Sequence, residues 1–140
     1  MTGFAVYLGN NLVSWKSKKQ SVLDRSSVEA EFKAMCNVTC EVMWILKVCK
    51  VLNVQVELVV EMFCDNSSAM QIAQNPVLHE RSKHFEIDLF FIRDQISEGI
   101  IKTIKVKSEN NIADIFTKGL SVVEHIKFCE MLKLKDLYKP

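Results

Sequence analysis

Residues 62–76, "MFCDNSSAMQIAQNP", place an acid where a buried strand should end. Five of the six residues before Asp65 are apolar: Val59, Val60, Met62, Phe63 and Cys64. Such a run reads as a strand largely buried on both faces, yet it closes on a carboxylate. A short helix from about Ser67 to Gln74 follows, stopped at Asn75-Pro76 because proline cannot continue it. Strand C-termini in α/β sheets are where ligand sites collect. Asp65 therefore has two readings: a cap for the following helix, or a ligand held at the mouth of a strand.

Working outward, residues 4–8 (FAVYL) and 12–16 (LVSWK) are strand-like and are separated by Gly9-Asn10-Asn11, a three-residue hairpin connection. After the basic loop Lys16–Gln20, Ser26-Ser27-Val28-Glu29 has the Ser-x-x-Glu capping-box pattern. A long helix to about Leu52 follows, with apolar residues recurring at Val28, Phe32, Met35, Val38, Val42, Ile45, Leu46 and Cys49. His84 to about Glu98 reads as an amphipathic helix through Phe85, Ile87, Leu89, Phe91, Ile92 and Ile96, ended by Gly99. Residues 100–106 alternate like a half-buried strand, and Asn110 or Asn111 is placed to cap a helix running to Lys118. A last amphipathic helix spans about Val122 to Leu132. The order of elements predicts one α/β domain over residues 1–140, with a mixed sheet flanked by helices.

At 140 residues, 49% hydrophobic and 25% charged, the chain is long enough for a proper core. A net charge of +1 rules out a global basic footprint, so any nucleic-acid contact must be local. The five cysteines are odd in number and form no C-x-x-C pair, which argues against a disulfide framework or zinc ribbon and for small buried hydrophobes in a reducing compartment. Cys36 and Cys40, one helical turn apart, lack a second ligand pair. No apolar run approaches the ~20 residues of a membrane span, and an intracellular protein is expected.

Three acids stand out. Residues two apart on a helix point about 200° away from each other, so Glu29 and Glu31 part company. Glu29 closes the capping box and can pair with Lys33. Glu31 shares the stripe of Val28 and Met35, where a carboxylate is costly unless paired, hydrogen-bonded or metal-bound. It is either an acid at the stripe's edge reaching water or a functional group. Asp114 falls in the first turn of its predicted helix, where the macrodipole alone favours an acid by ~0.3–1 kcal/mol. Convergence of the three would make a divalent-metal carboxylate site.

Three strings, "GFAVYLGNNLVSWKSKKQSVLDRSSVEAEFKAM" (3–35), "MFCDNSSAMQIAQNPVLHERSKHFEID" (62–88) and "NNIADIFTKGL" (110–120), resemble the ribonuclease H domain at the C-terminal end of copia-type retrotransposon polyproteins. The resemblance covers nearly the whole chain in family order. It implies a ribonuclease H-like fold and cleavage of the RNA strand of an RNA–DNA hybrid after reverse transcription. It also assigns Glu31 ("VEAEF"), Asp65 ("CDNSSA") and Asp114 ("NNIADIF") to the family's acidic metal-binding cluster. That cluster holds two Mg²⁺ (or Mn²⁺) ions, roughly 4 Å apart in two-metal sites, and hard cations take carboxylate oxygens.

The hybrid would be selected by its A-form-like geometry and 2′-hydroxyls. Trp15, Lys16, Lys18 and Lys19 are the local candidates for backbone contact, with a solvated basic loop as the plain alternative. His79, His84 and His125 are assigned no catalytic role. The resemblance further implies an upstream reverse transcriptase domain and a cytoplasmic, virus-like-particle setting.

In the family, a first strand with another essential aspartate lies upstream of the "GFAVYL" hairpin, between it and the 59–64 strand. Met1-Thr2 directly precede Gly3 here. The expectation is a domain truncated at its start, with little turnover by itself and with two exposed strand edges. The alternative is a non-catalytic nucleic-acid-binding or interaction module that keeps the fold.

Overall fold

A computed structural model describes residues 1–19, 27–75, 86–135 and 138. The chain forms two compact units, residues 1–19 with 112–140, and residues 20–111. The α/β class holds. The single mixed sheet does not: the described strands form two separate two-stranded sheets, one antiparallel and one parallel.

The first unit begins with β1 (Thr2–Leu8) and β2 (Asn11–Lys18), paired antiparallel. Leu8 already pairs with Asn11, so the connection is the two residues Gly9-Asn10 rather than the three expected. Gly9 sits at φ +58°, the left-handed region a tight turn demands. The register slips between Val6↔Ser14 and Tyr7↔Leu12, leaving Val13 as a bulge residue. Thr2, Phe4 and Val6 alternate into the interior, as period two requires.

Gly3 and Ser17, opposite each other in the hairpin, carry a short 3-10 turn, Ile112–Phe116. The Ser17 hydroxyl donates to the Phe116 carbonyl at 2.7 Å. A Cβ on Gly3 would lie 2.7 Å from Phe116 Cβ and 2.8 Å from Thr117 Cγ2, so only glycine allows this approach. The predicted α-helix from Asn110 or Asn111 to Lys118 is replaced by 3-10 turns at Ser108–Asn110 and Ile112–Phe116. With only five residues, three of them Ile or Phe, the second segment is too short to repay an α-helical nucleus.

Helix α4 (Val122–Met131) closes the unit. Ser121 and Glu124 form its capping box, a pattern visible in the sequence but passed over there. Phe128 and Leu132 are its buried contacts.

The second unit holds α1 (Ser27–Val51), β3 (Val60–Cys64), α2 (Ser67–Gln74), α3 (Glu86–Ser97) and β4 (Ile101–Lys105). β3 and β4 run parallel, with Val60↔Ile101 through Cys64↔Lys105. The reading of the 59–64 strand as buried on both faces is corrected. Met62 and Cys64 point inward, whereas Glu61 and Phe63 are exposed and Phe63 retains 59% of its surface. Its apolar composition concealed a one-sided strand.

One core joins Phe32 and Met35 of α1, Met62 and Cys64 of β3, Ala69 and Ala73 of α2, Leu89 and Ile92 of α3, and Ile101 of β4. Thr39 is fully buried among these helices because its hydroxyl donates to the Met35 carbonyl at 2.8 Å. In α3 the periodicity misassigned Ile87, which is exposed, and Gln95 is buried instead. Gly99, at φ +70°, ends α3 in a Schellman motif: Ile100 N–H donates to Gln95 and Gly99 N–H to Ile96. The capping box at Ser26 and Glu29 and the stripe position Val28 lie outside the described residues and side chains, as do Phe85, His79 and His84.

Two outcomes follow for the first unit. Gly3→Ala should destabilise the chain by about 1–3 kcal/mol, the usual penalty of overpacking, seen as a lower urea midpoint. Hydrogen bonds from the Ser121 hydroxyl and amide hold the Glu124 carboxyl below its ordinary pKa. A depressed carboxyl stabilises above its unfolded pKa, and that contribution is lost as pH falls through the folded value. The destabilisation by Ser121→Ala should therefore be larger at neutral pH than in acid, as followed by thermal melts across that range.

Candidate metal centre at the end of β3

At the C-terminal end of β3 the chain presents a buried thiol and then a half-buried carboxylate, Cys64 and Asp65. The role of helix cap goes to the next residue. Asn66 has extended backbone (φ −94°, ψ 103°), and its side-chain oxygen accepts from Ala69 N–H at 3.1 Å, satisfying an open donor of α2. Asp65 is thereby left for other work. Its Oδ2 accepts from the Ser108 hydroxyl at 2.9 Å.

Glu31 comes from α1, where it precedes Phe32, a residue only 3% exposed. That places it half-buried at the rim of the helix's core stripe, the position its spacing suggested. Glu31, Cys64 and Asp65 each bring one ligand atom into a group whose members lie within 4.8 Å of one another. With Asn66 and Ser67, the two carboxylates line an open cleft of about 270 Å³. Two such acids in proximity repel each other unless a cation or proton joins them.

Lys105 brings a positive charge beside the site. It is the register partner of Cys64 on β4, and its ammonium donates to the Asp65 carbonyl and, at 2.6 Å, to the Ser67 hydroxyl. Burial pushes the Cys64 thiol up, and the Glu31 and Asp65 carboxylates add to that rise while Lys105 opposes it. The sulfur lies 3.7 Å from the Asn66 carbonyl, to which the thiol donates. Oxygen donors from Glu31 and Asp65 suit a hard divalent cation.

Asp114 belongs to the other unit, in the 3-10 turn Ile112–Phe116. It is buried, and its Oδ2 accepts from Lys118 Nζ at 2.8 Å. This ion pair, rather than an α-helix macrodipole, is what the fold provides for its charge.

The basic segment differs from its expected form. Lys16 and Lys18 belong to β2 and are not in a loop, and Trp15, 61% exposed, points to the opposite face from both by strand alternation. Lys19, just past the strand, is exposed. All five cysteines are free thiols, although Cys40 is exposed and so not the buried hydrophobe expected. Burial, followed by the adjacent Asp88 carboxylate, pushes the Cys36 thiol up to about 12, which leaves it inert.

Sequence reasoning missed Ser108, Lys105 and the placement of the Cys64 sulfur beside the two carboxylates. Lys105 was within reach: aligning the 59–64 and 100–106 strands in parallel sets it beside Cys64. Ser108 depends on a turn that no periodicity marks.

The chain is 39% identical over 126 residues to the Retrovirus-related Pol polyprotein from transposon RE2 of Arabidopsis thaliana, covering 90% of this chain and 9% of that protein. It is 40% identical over 119 residues to the Pol polyprotein from transposon RE1 of the same plant, covering 85% and 8%. Against the Pol polyprotein from transposon TNT 1-94 of Nicotiana tabacum it is 32% identical over 128 residues, covering 91% and 9%. The chain is therefore homologous to copia-type retrotransposon Pol polyproteins over about 90% of its length, and it spans less than a tenth of the length of these curated relatives. No family model matches the chain, and no solved structure matches it.

The division of labour between Asp65 and Asn66 is open to direct test. Asn66→Ala removes the α2 cap and should cost about 1 kcal/mol of stability. Asp65→Asn relieves repulsion with Glu31, so in metal-free buffer its melting temperature should equal or exceed that of the wild type. A drop matching that of Asn66→Ala would return Asp65 to a capping role.

Proposed function

We propose that this chain is the ribonuclease H domain of a retrotransposon Pol polyprotein, cutting the RNA strand of an RNA–DNA hybrid with Glu31, Asp65 and Asp114 as its acidic ligands. The observation that carries the reading is the convergence of the Glu31 and Asp65 carboxylates at the end of β3. Strand ends are rigid, and metal-dependent phosphodiester hydrolysis needs ligands at fixed spacing.

The donor set fits Mg²⁺ or Mn²⁺, hard ions that take carboxylate oxygen. Bound there, such an ion supplies Lewis acidity and lowers the pKa of its coordinated water. The chain's own residues do the rest. Ser108 holds one oxygen of Asp65 in place, the Asn66 cap fixes the backbone beyond it, and Lys105 ties the same backbone to Ser67. Asp114 joins this set through the resemblance of "NNIADIF" to the family, and Lys118 balances its charge.

Substrate contact is assigned to the exposed hairpin. Trp15 offers a stacking or sugar-packing face, and Lys19, just past the strand end, offers a phosphate contact. In the polyprotein, a reverse transcriptase domain upstream would deliver the hybrid.

Two measurements test the reading. Millimolar Mg²⁺ should raise the melting temperature of the purified chain, and Glu31→Gln or Asp65→Asn should abolish the rise. In its polyprotein context the domain should release labelled RNA fragments from an RNA–DNA hybrid. Asp65→Asn should lower that rate by at least about a hundredfold, since several kcal/mol of Lewis-acid stabilisation are lost. A metal-independent melting temperature combined with tight hybrid binding and no cleavage would favour a non-catalytic binding module.

A further inference from the structure

The thiol of Cys64 is not accounted for by a hard-cation centre. It is 95% buried by exposure (5% of its surface remains), yet it does not simply fill core space: its sulfur lies in the same 4.8 Å group as the Glu31 and Asp65 carboxylate oxygens. Its hydrogen bond to the Asn66 carbonyl is a long one, 3.7 Å. A sulfur converging with two carboxylate oxygens is a different donor set from a cluster of acids. Hard ions such as Mg²⁺ make no use of the sulfur, whereas ions of the zinc class accept thiolate and carboxylate together.

We propose that Glu31, Cys64 and Asp65 form a mixed sulfur–oxygen site for a thiophilic divalent cation of the zinc and cadmium class, which competes there with the hard cation. The inference rests on the proposed function only for its competitor, since the sulfur–oxygen site stands on its own geometry.

Charge supports the arrangement. On binding, the Cys64 S–H proton leaves to solvent as the metal–sulfur bond forms, giving one thiolate and two carboxylates around a 2+ ion. The excess negative charge falls beside the Lys105 ammonium, already fixed on Ser67 and the Asp65 carbonyl. Three protein ligands leave a position open to water, the pattern of an accessible rather than a sealed zinc site. Access comes through the cleft lined by Glu31, Asp65, Asn66 and Ser67. A hard-cation centre built this way is open to poisoning by trace zinc or cadmium.

The probe is Cd²⁺ alone, added to the full chain under reducing conditions and followed by the ultraviolet thiolate-to-cadmium charge-transfer band. The first equivalent should produce the band in wild type. Cys64→Ser, close to isosteric, should remove the band and weaken that equivalent by about tenfold or more, while Cys40→Ser and Cys129→Ser leave both unchanged. Glu31→Gln provides a second test that keeps every thiol: it should weaken the same equivalent with the band preserved at saturation. Far-ultraviolet circular dichroism establishes that each variant is folded.

A first equivalent that survives Cys64→Ser, or that moves with Cys40 or Cys129, overturns the proposal. The Mg²⁺ melting shift is read in parallel. If Cd²⁺ binds through Cys64 but Mg²⁺ produces no shift, the hard-cation reading fails and this one stands. If Mg²⁺ shifts the melt while Cys64→Ser leaves Cd²⁺ binding unaltered, the reverse holds.

Discussion

Two carboxylates held close together at the rim of an apolar core repel each other, and the second unit is organised around holding them there. Glu31 is carried by a helix whose neighbouring residues, Phe32 and Met35, pack in the same core as Met62 and Cys64 of β3. The helix cannot shift to separate its acid from Asp65 without opening that core. Hydrophobic burial thus holds the two carboxylates in place, in the arrangement on which the proposed cation site rests. The same logic explains why Asn66, rather than the adjacent acid, caps α2. A carboxylate spent on the helix amides would no longer face Glu31.

Features governed by local periodicity were legible in the sequence. The alternation of β1 and β4, the α2 limits at Ser67 and Gln74, and the stop at Gly99 all follow from side-chain period, proline and glycine. Glu31 and Asp65 were also legible, because an acid on a core stripe and an acid ending an apolar strand both violate the surrounding pattern. Features governed by pairing were not. Composition could not reveal that β3 is covered on one face only, since Phe63 is as apolar as Met62 but points away from the core. Nor could spacing separate an α-helix from 3-10 turns over residues 108–116, where Asp114 ends up beside Lys118. Cys64 was read as bulk because burial is what a cysteine in an apolar run usually means.

The hairpin shows how a small departure in strand length rearranges a surface. Extension of β2 to Lys18 turns a presumed basic loop into alternating positions, so Trp15 and its flanking lysines leave the sheet on opposite sides. A surface that looked continuous in one dimension is divided in three. Any nucleic-acid contact by this segment must therefore choose a face, or combine one face with the residues just past the strand end.

The groups that complete the centre come from far along the chain. Ser108 reaches Asp65 across 43 residues, and Lys105 reaches it across 40, because β4 joins β3 in parallel only after α2 and α3 have been laid down between them. Parallel pairing over such a separation bears a large loop-closure entropy and forms late in folding. During synthesis, the acid at the end of β3 therefore emerges well before the residues that orient it. The arrangement of Glu31, Cys64 and Asp65 with Ser108 and Lys105 is therefore completed only in the last stage of folding, so an incompletely folded copy carries these side chains without their mutual geometry.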